Sequence, residues 1–504
     1  MKNIVMTNIK ICRFNCSKFF TLKITMMFFL LLPTLFEAQV IVEWSNDPGG
    51  VSVSTDQLHN VYSANWDYNP GGDITLTKRN SDGSVLWNAT FDNTDNTRHE
   101  VATWIETDNQ NNCLVAGTIR SGFSNPVNAA SLLMKFDSTG NLLWRNVFES
   151  SFEGSYTKKI LVDSADNVYV LGTGIGNNGL VTRIKKFNSN GVPIWTYYDT
   201  NGVGAPINCK FTPDHSLLVS GRGITGTING YLKLSLNGNL IWSMTGILSP
   251  TVGDASGDSF GNTYTINGQN VISNAGSIIE KFDPNGILIW SHTNAMAGSK
   301  VETGSDNNPI ISGFPNSGSA GAAFMKYDSN GSVLWQNLNA DGPELLFLHG
   351  QLKLDAANNA YLSAGNLFNM AVCKINSDGT NGWVGLVSGS NSAQSFTVNS
   401  DNSVYLIGTT TAKLSENSLN VNTLKSEGFS VTPNPFDNDF TISMQEDFGE
   451  KRITLYSING KIIHESTFFG QTKNIFLSNI QSGLYILTIV DQRGKIFKQK
   501  IIKK

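Results

Sequence analysis

Charge is scarce in this sequence. Only 15% of its 504 residues are Asp, Glu, Lys or Arg, against roughly 25% in ordinary soluble domains. So little charge, in a chain rich in Gly, Asn, Ser and Thr, excludes a long-helix or coiled-coil protein. The net charge is −4 and the body has no basic cluster, which excludes a nucleic-acid binder. Cysteine is nearly absent too. Cys12 and Cys16 fall in an N-terminal leader, leaving Cys113, Cys209 and Cys373. An odd number at wide spacing excludes a disulfide framework and a Cys-rich metal site, and reads as buried, inert thiols. The uncharged run at 24–36 (ITMMFFLLLPTLF) is 13 residues long, short of the roughly 20 that cross a bilayer as a helix.

That run has the form of a signal peptide over residues 1–39. Lys2, Lys10, Arg13, Lys18 and Lys23 precede it, and Ala38 supplies a small residue near a cut. No cysteine follows it, so a lipoprotein anchor is not expected. Removing the leader takes away five basic residues and one acidic residue, moving the net charge from −4 to −8. The 504 residues allow two to four domains, or one large all-β body plus something small.

What the sequence does have is an internal repeat. The pattern K-x-x-x-x-G-x-x-x-W occurs seven times: Lys78/Gly83/Trp87, Lys135/Gly140/Trp144, Lys186/Gly191/Trp195, Lys233/Gly238/Trp242, Lys281/Gly286/Trp290, Lys326/Gly331/Trp335 and Lys374/Gly379/Trp383. The tryptophans are 57, 51, 47, 48, 45 and 48 residues apart. Before each copy stands an Asx-rich turn, a short apolar run and then small residues with Gly, as in DSADNVYVLG (163–172) and DNNPIISG (306–313). This second pattern recurs after the last Trp copy, at 401–408 (DNSVYLIG). Short β-branched and aromatic runs broken by Asn, Asp and Gly turns are hairpin signals. Each unit therefore reads as four short strands, with the glycine supplying positive φ between the third and fourth. The tryptophan reads as structural, a large side chain wedged between neighbouring sheets.

A four-stranded period near 48 residues predicts β-propeller blades over 40–414. Blades must close or leave exposed edges. Residues 40–44 (VIVEW), ending in Trp44, resemble a fourth strand without partners, and 401–414 resemble inner strands without a Trp strand. Joined, they complete a blade, for eight in all. Seven is the alternative if the irregular first unit is not a full blade. The segment from Asp137-Ser138-Thr139-Gly140 to Trp144 resembles the tryptophan-docking repeat of pyrroloquinoline-quinone-type propellers, and simpler repeats of exported bacterial propellers. The resemblance implies the fold and says little about activity.

Residues 415–427 read as a polar linker, and the repeat has stopped. Residues 428–504 alternate apolar and polar in short runs, predicting a β-sandwich of six or seven strands. The segment VTPNPF carries Pro433, Asn434 and Pro435; LYSINGK carries Asn459 and Gly460; SGLYIL carries Gly483, Leu484 and Tyr485. Three such motifs in this order resemble the type A sorting domain of the type IX secretion system of Bacteroidetes. The resemblance implies export by the signal peptide, recognition of this domain at the outer membrane, and usually its removal. Release, or attachment to surface lipopolysaccharide, then follows.

Catalytic strings occur only by letter. G-x-S-x-G at 257–261 lies in the Asx-rich turn of a repeat, where a nucleophile elbow needs strand, turn and helix. G-x-G-x-x-G at 174–179 and 221–226 precedes strands, where a dinucleotide cradle needs a helix N-terminus. The six histidines are scattered, and Asp92, Asp95 and Glu100 lack the glycine and spacing of a calcium loop. Quinone dehydrogenases of the resembled type carry an adjacent cysteine pair, which is missing here. No catalytic, metal or cofactor-binding residue is therefore expected. The expected role is a secreted, non-enzymatic module binding a ligand, glycan or protein through one propeller face. The alternative is an exported hydrolase or lyase of polysaccharides, which would need two or more Asp, Glu or His converging at the channel with paired geometry.

Overall fold

The computed structural model describes all residues except 1–39, 68–71, 93–97, 122–128, 152–155, 177–178, 224–227, 249–252, 268–275, 316–320, 339, 341–349, 366–367, 392, 417–428, 445–448, 458–460 and 493–495. The expected signal peptide lies outside the described residues. Among those described there is no helix, and the strands divide into two units, 1–416 and 417–504.

Four-stranded antiparallel sheets of the β-propeller type build the first unit. Sheet one has strands Ser52–Thr55, Val61–Trp66, Ile74–Arg79 and Val85–Phe91, paired in that order. Sheets two to seven repeat the plan over 99–151, 157–199, 203–248, 254–293, 296–337 and 352–388. Sheet eight is composite: Ser395–Val398, Val404–Ile407 and Thr411–Glu416 are completed by Val40–Asn46 from the other end of the unit. Ser415 and Glu416, placed in the linker by composition, belong to this sheet. The first strands of most neighbouring sheets touch one another, those of sheets one and two and of sheets eight and one among them.

The repeat letters have a common geometry. Each Lys lies directly opposite its Trp across the third and fourth strands, as in Lys78 and Trp87, Lys186 and Trp195, or Lys374 and Trp383. Sheet eight makes the same pair from distant residues, Lys413 and Trp44. The indoles then reach the next sheet. Trp87 Nε1 donates to Ser138 O at 3.0 Å and Trp144 Nε1 to Ser189 O at 3.2 Å. Trp290 Nε1 donates likewise to Ser329 O at 3.2 Å, and Trp335 Nε1 to Ser377 O at 3.0 Å. Trp44 does the same to Ser81 O at 3.0 Å.

Each docked ring lies on the glycine of that next turn. Trp44 lies on Gly83, Trp87 on Gly140, Trp144 on Gly191 and Trp195 on Gly238. Trp242 lies on Gly286 and Trp335 on Gly379, while Gly331 faces both Trp290 and His292. A Cβ on Gly238 would stand 2.7 Å from Trp195 Cδ2. Only glycine allows both the φ of +84° there and the close approach. Trp383 meets no such glycine, because sheet eight has no hairpin between its last two strands. It donates to Glu416 Oε1 instead, at 2.8 Å.

The lysines are buried, and each needs an anion there. Lys135 pairs with Asp108 at 2.7 Å, Lys233 with Asp214 at 2.8 Å and Lys326 with Asp306 at 2.6 Å. Those Asp side chains sit in the first hairpin of each sheet. Asp108 Oδ1 accepts Gln110 N and Asn112 N, the geometry of an Asx turn. The turn's third position takes positive φ, at His59, Asn111, Asp166, His215, Asn307, Asn358 and Asn402. These are residue types that tolerate the left-handed region. Their side chains tie sheet to sheet: Gln57 N donates to Asn111 Oδ1 at 3.1 Å and Asn109 N to Asp166 Oδ1 at 2.9 Å. Between sheets eight and one the contact is His59 Nδ1 with Asp401 Oδ2, at 3.3 Å.

The second unit has a three-stranded sheet (Phe429–Thr432, Asp439–Met444, Thr472–Phe476) and a four-stranded one (Ile462–Phe468, Lys451–Ser457, Gly483–Asp491, Ile496–Lys503). Phe436, Phe440, Ile453, Leu487 and Ile501 form its buried core. Asn434 clamps the last strand: its Nδ2 donates to Lys500 O at 2.8 Å and its Oδ1 accepts Ile502 N at 2.9 Å. Tyr485 lies opposite Ser457 and Ile501. Asn459 and Gly460 lie outside the described residues.

Candidate functional site

In four of the inner strands one residue drops out of register. The breaks fall between Ala102 and Trp104, Thr157 and Lys159, Pro206 and Asn208, and Gly298 and Lys300. A β-bulge bends the strand and re-aims the side chain that follows. Opposite each bulge stands a glycine: Gly117, Gly172, Gly221 and Gly313. A Cβ on Gly117 would lie 2.7 Å from Val101 O, and the other three would meet the carbonyls of Tyr156, Ala205 and Ala297. The glycine ending the apolar run of the repeat is thus the residue that lets the inner strand bulge.

The side chains after these bulges meet in one cavity of about 190 Å³, whose lining includes Trp104, Lys159, Asn208, Lys210, Asp254, Lys300, Glu302 and Lys353 from six sheets. Asn208 and Lys210, like Lys300 and Glu302, are two apart on one strand and so share a face. Lys210 is the hub. Its Nζ donates to Asp254 Oδ2 at 2.9 Å, Glu302 Oε1 at 2.8 Å and Val301 O at 2.7 Å. Asp254 also accepts Asn208 Nδ2 at 3.1 Å. Lys159 Nζ donates to Asn208 Oδ1 at 2.8 Å and lies 4.8 Å from the Trp104 ring centre. Trp104 Nε1 donates to Glu106 Oε1 at 2.8 Å.

The two carboxylates on Lys210 ionise differently. Burial pushes the Asp254 carboxyl up, but the charges of Lys210 and Lys300, with hydrogen bonds from Lys210 and Asn208, outweigh it and hold the group below its usual range. Burial dominates at Glu302 and raises it. Burial lowers Lys353, against the charge of Glu106. Lys210, with two carboxylates, is raised despite its burial. The convergence of Asp254 and Glu302 differs from the reading of the motifs, which found no such cluster. These residues come from separate repeats and share no motif letter.

The residues singled out as motifs lie elsewhere. Ser259 N donates to Asn307 Oδ1 at 2.9 Å within the turn of Asp258, so G-x-S-x-G is a hairpin and no elbow. Gly174 and Gly221 lie within strands Val168–Gly176 and Ser216–Gly223; Gly226 is outside the described residues. His59 lies in the first hairpin of sheet one, His292 in a strand of sheet five and His464 in a strand of the second unit. Asp92 and Glu100 do meet, joined by Asp73, with one carboxylate oxygen of each within 4.8 Å of the others. Burial, then the charges of Asp92 and Asp67, raise Asp73.

The repeat letters form no part of the cavity wall. Trp44, Trp87, Trp144, Trp195 and Trp242 lie on fourth strands, as do Trp290, Trp335 and Trp383, whereas the cavity draws mainly on first strands. Gly83, Gly140, Gly191 and Gly238 turn the chain between third and fourth strands, and Gly286, Gly331 and Gly379 do so in the later sheets. The tryptophan that does line the cavity, Trp104, stands outside the repeat pattern.

Comparison with known proteins adds the tail. Residues 430–504 match the model of the secretion system C-terminal sorting domain. This type IX sorting domain marks the protein for export to the cell surface or the medium, through the type IX machinery. No curated protein matches the chain. Among solved structures the chain is similar to the Dos1 propeller, at 10% identity, covering 76% of this chain and 95% of that one with a TM-score of 0.49. It is also similar to streptogramin B lyase, at 12% identity, 75% and 98% coverage and a TM-score of 0.42. A third similar structure is the extracellular domain of a putative hybrid two-component system from B. thetaiotaomicron, at 10% identity, 90% and 72% coverage and a TM-score of 0.27.

Proposed function

We propose that this exported protein is a non-enzymatic binding module, an eight-bladed propeller closed by its composite sheet, which holds an extracellular ligand at the centre of the ring. One observation carries the reading: side chains from six sheets converge on a single polar cavity, and most of their polar groups are fixed by one another. Such a preorganised set suits recognition, because little ordering entropy is lost on binding. Closure is supported by Trp44 docking on sheet one as the other indoles dock on theirs, and by the His59–Asp401 contact. Residues 40–416 form the propeller and 428–504 the sorting domain, with Pro433, Asn434, Pro435, Asn459, Gly460, Gly483, Leu484 and Tyr485 as its motif residues. After the tail is removed, the body is released or attached to surface lipopolysaccharide.

The test is calorimetric titration of the full chain with a panel of neutral and acidic saccharides, alongside product analysis. Binding without turnover supports the module, and turnover of a polysaccharide refutes it. A hydrolase or lyase is the second reading, favoured by Asp254 and Glu302 sharing Lys210 with their ionisations pushed apart. Turnover lost in Glu302→Gln with binding retained would establish it. Deleting 428–504 is expected to leave the protein in the periplasm; a truncated form at the normal surface level would refute the sorting role.

A further inference from the structure

The charges of the cavity do not balance. Four ammonium groups enter it, Lys159, Lys210, Lys300 and Lys353. Both carboxylates of the lining, Asp254 and Glu302, are bound by Lys210. Glu106, behind Trp104, accepts the indole N–H. Lys159 has Asn208 as its acceptor. Lys300 and Lys353 line the same space. Asp254 feels the charge of Lys300, and Lys353 lies 5.5 Å from the Phe396 ring centre. Neither ammonium makes a salt bridge or a hydrogen bond to protein among the described residues. Both side chains are partly buried, an ammonium there without a contacting anion is costly, and at Lys353 burial outweighs the charges of Glu106 and Glu302 and lowers the group. Lys300 follows the bulge of strand Met296–Thr303 and Lys353 is the middle residue of strand Leu352–Leu354, so two neighbouring inner strands present an ammonium to one cavity.

We infer that the cavity receives one oxyanionic group, a carboxylate or sulfate carried on a small molecule or sugar, between Lys300 and Lys353. The inference rests on the binding-module reading and names its ligand class. The volume of about 190 Å³ is below the roughly 300–1,000 Å³ of pockets that bury whole drug-sized ligands. It therefore takes the anionic end of a ligand, with the remainder toward the channel opening. Two ammonium groups give charge-assisted hydrogen bonds to such an oxyanion. Lys210, with three acceptors, holds Asp254 and Glu302 in place.

The test is isothermal titration of the full chain at low salt with sodium glucuronate, glucose and sodium sulfate. Glucuronate is expected to bind, sulfate to compete with it, and glucose not to bind. Lys300→Gln and Lys353→Gln are each expected to weaken glucuronate at least tenfold, with unchanged tryptophan fluorescence and melting. Lys353→Arg should keep most of the affinity. Sulfate binding without glucuronate binding would keep the site and identify an inorganic ligand. Glucuronate affinity unchanged in the folded Lys300→Gln/Lys353→Gln double variant would overturn the site. A neutral saccharide bound equally by wild type and double variant would overturn the anion assignment while leaving the binding module in place. Failure of every ligand in the saccharide panel would overturn both.

Discussion

Gly238→Ala separates the docking of one sheet on the next from ordinary turn strain. The new methyl would meet Trp195 Cδ2 at 2.7 Å, on a backbone at φ +84°. Left-handed backbone costs a non-glycine residue about 1–2 kcal/mol. Overpacking against a ring held from both sides adds about 1–3 kcal/mol. Gly389 is the control, since it has φ +81° and no heavy atom within 4 Å of its built Cβ. Gly389→Ala should carry the backbone cost alone, so the two variants should differ by about 1–3 kcal/mol. The assay is urea unfolding of the full chain by tryptophan fluorescence. All ten tryptophans lie in the first unit, so the signal reports that unit alone. In a double-mutant cycle, Trp195→Ala should remove the clash, making Gly238→Ala cost less than in wild type. Equal destabilisation by Gly238→Ala and Gly389→Ala, with additivity in the cycle, would refute the docking argument.

Other outcomes follow from the same geometry. Trp242→Ala is expected to lose about 3–5 kcal/mol as a core truncation, and wild-type melting of that variant would contradict it. Trp144→Phe should cost about 1 kcal/mol more than Trp242→Phe, because Trp144 Nε1 donates to Ser189 O whereas Trp242 Nε1 has no partner among the described residues; equal losses would refute a role for the indole bond. Burial pushes Asp108, Asp214 and Asp306 up, but hydrogen bonds from Lys135, Lys233 and Lys326 outweigh it and hold them below the usual carboxylate range. Stability from these groups is present above the unfolded value of about 3.9 and lost as pH falls through the folded one. The urea midpoint should therefore drop below about pH 4, and a flat profile from pH 4 to 2 would contradict the pairing. Burial raises Cys209 to about 11, so at pH 8 only about one thiol in a thousand is the reactive thiolate. Ellman's reagent should label none of Cys113, Cys209 and Cys373 until the protein is unfolded.

The joints between sheets were legible in the sequence because they are local. A Lys, a Gly and a Trp within ten residues define one hairpin, and the chain prints that hairpin seven times. The eighth was half legible. Trp44 and the strands after residue 400 could be matched, but Lys413 could not be assigned a Trp so far away in the chain. The partner of each Lys, the Asp of the first hairpin, was visible only as a turn former. The cavity was not legible. Trp104, Lys159, Lys210, Asp254, Lys300, Glu302 and Lys353 differ from sheet to sheet and meet only when the sheets assemble. Their one printed signal was the glycine closing each apolar run, such as Gly172 or Gly313. A glycine at that place marks a bulge across the ladder, and the bulge marks the residue turned inward.

Everything proposed for the centre of the molecule depends on a ring shut by Val40–Asn46 against Thr411–Glu416. Amide hydrogen exchange of the mature full chain tests it most directly. The amides of Val40–Asn46 that face the neighbouring strand should be protected as well as those of Val85–Phe91, an outer strand joined by a hairpin. Exchange of 40–46 at the rate of free peptide, with 85–91 still protected, would mean that the sheets do not close.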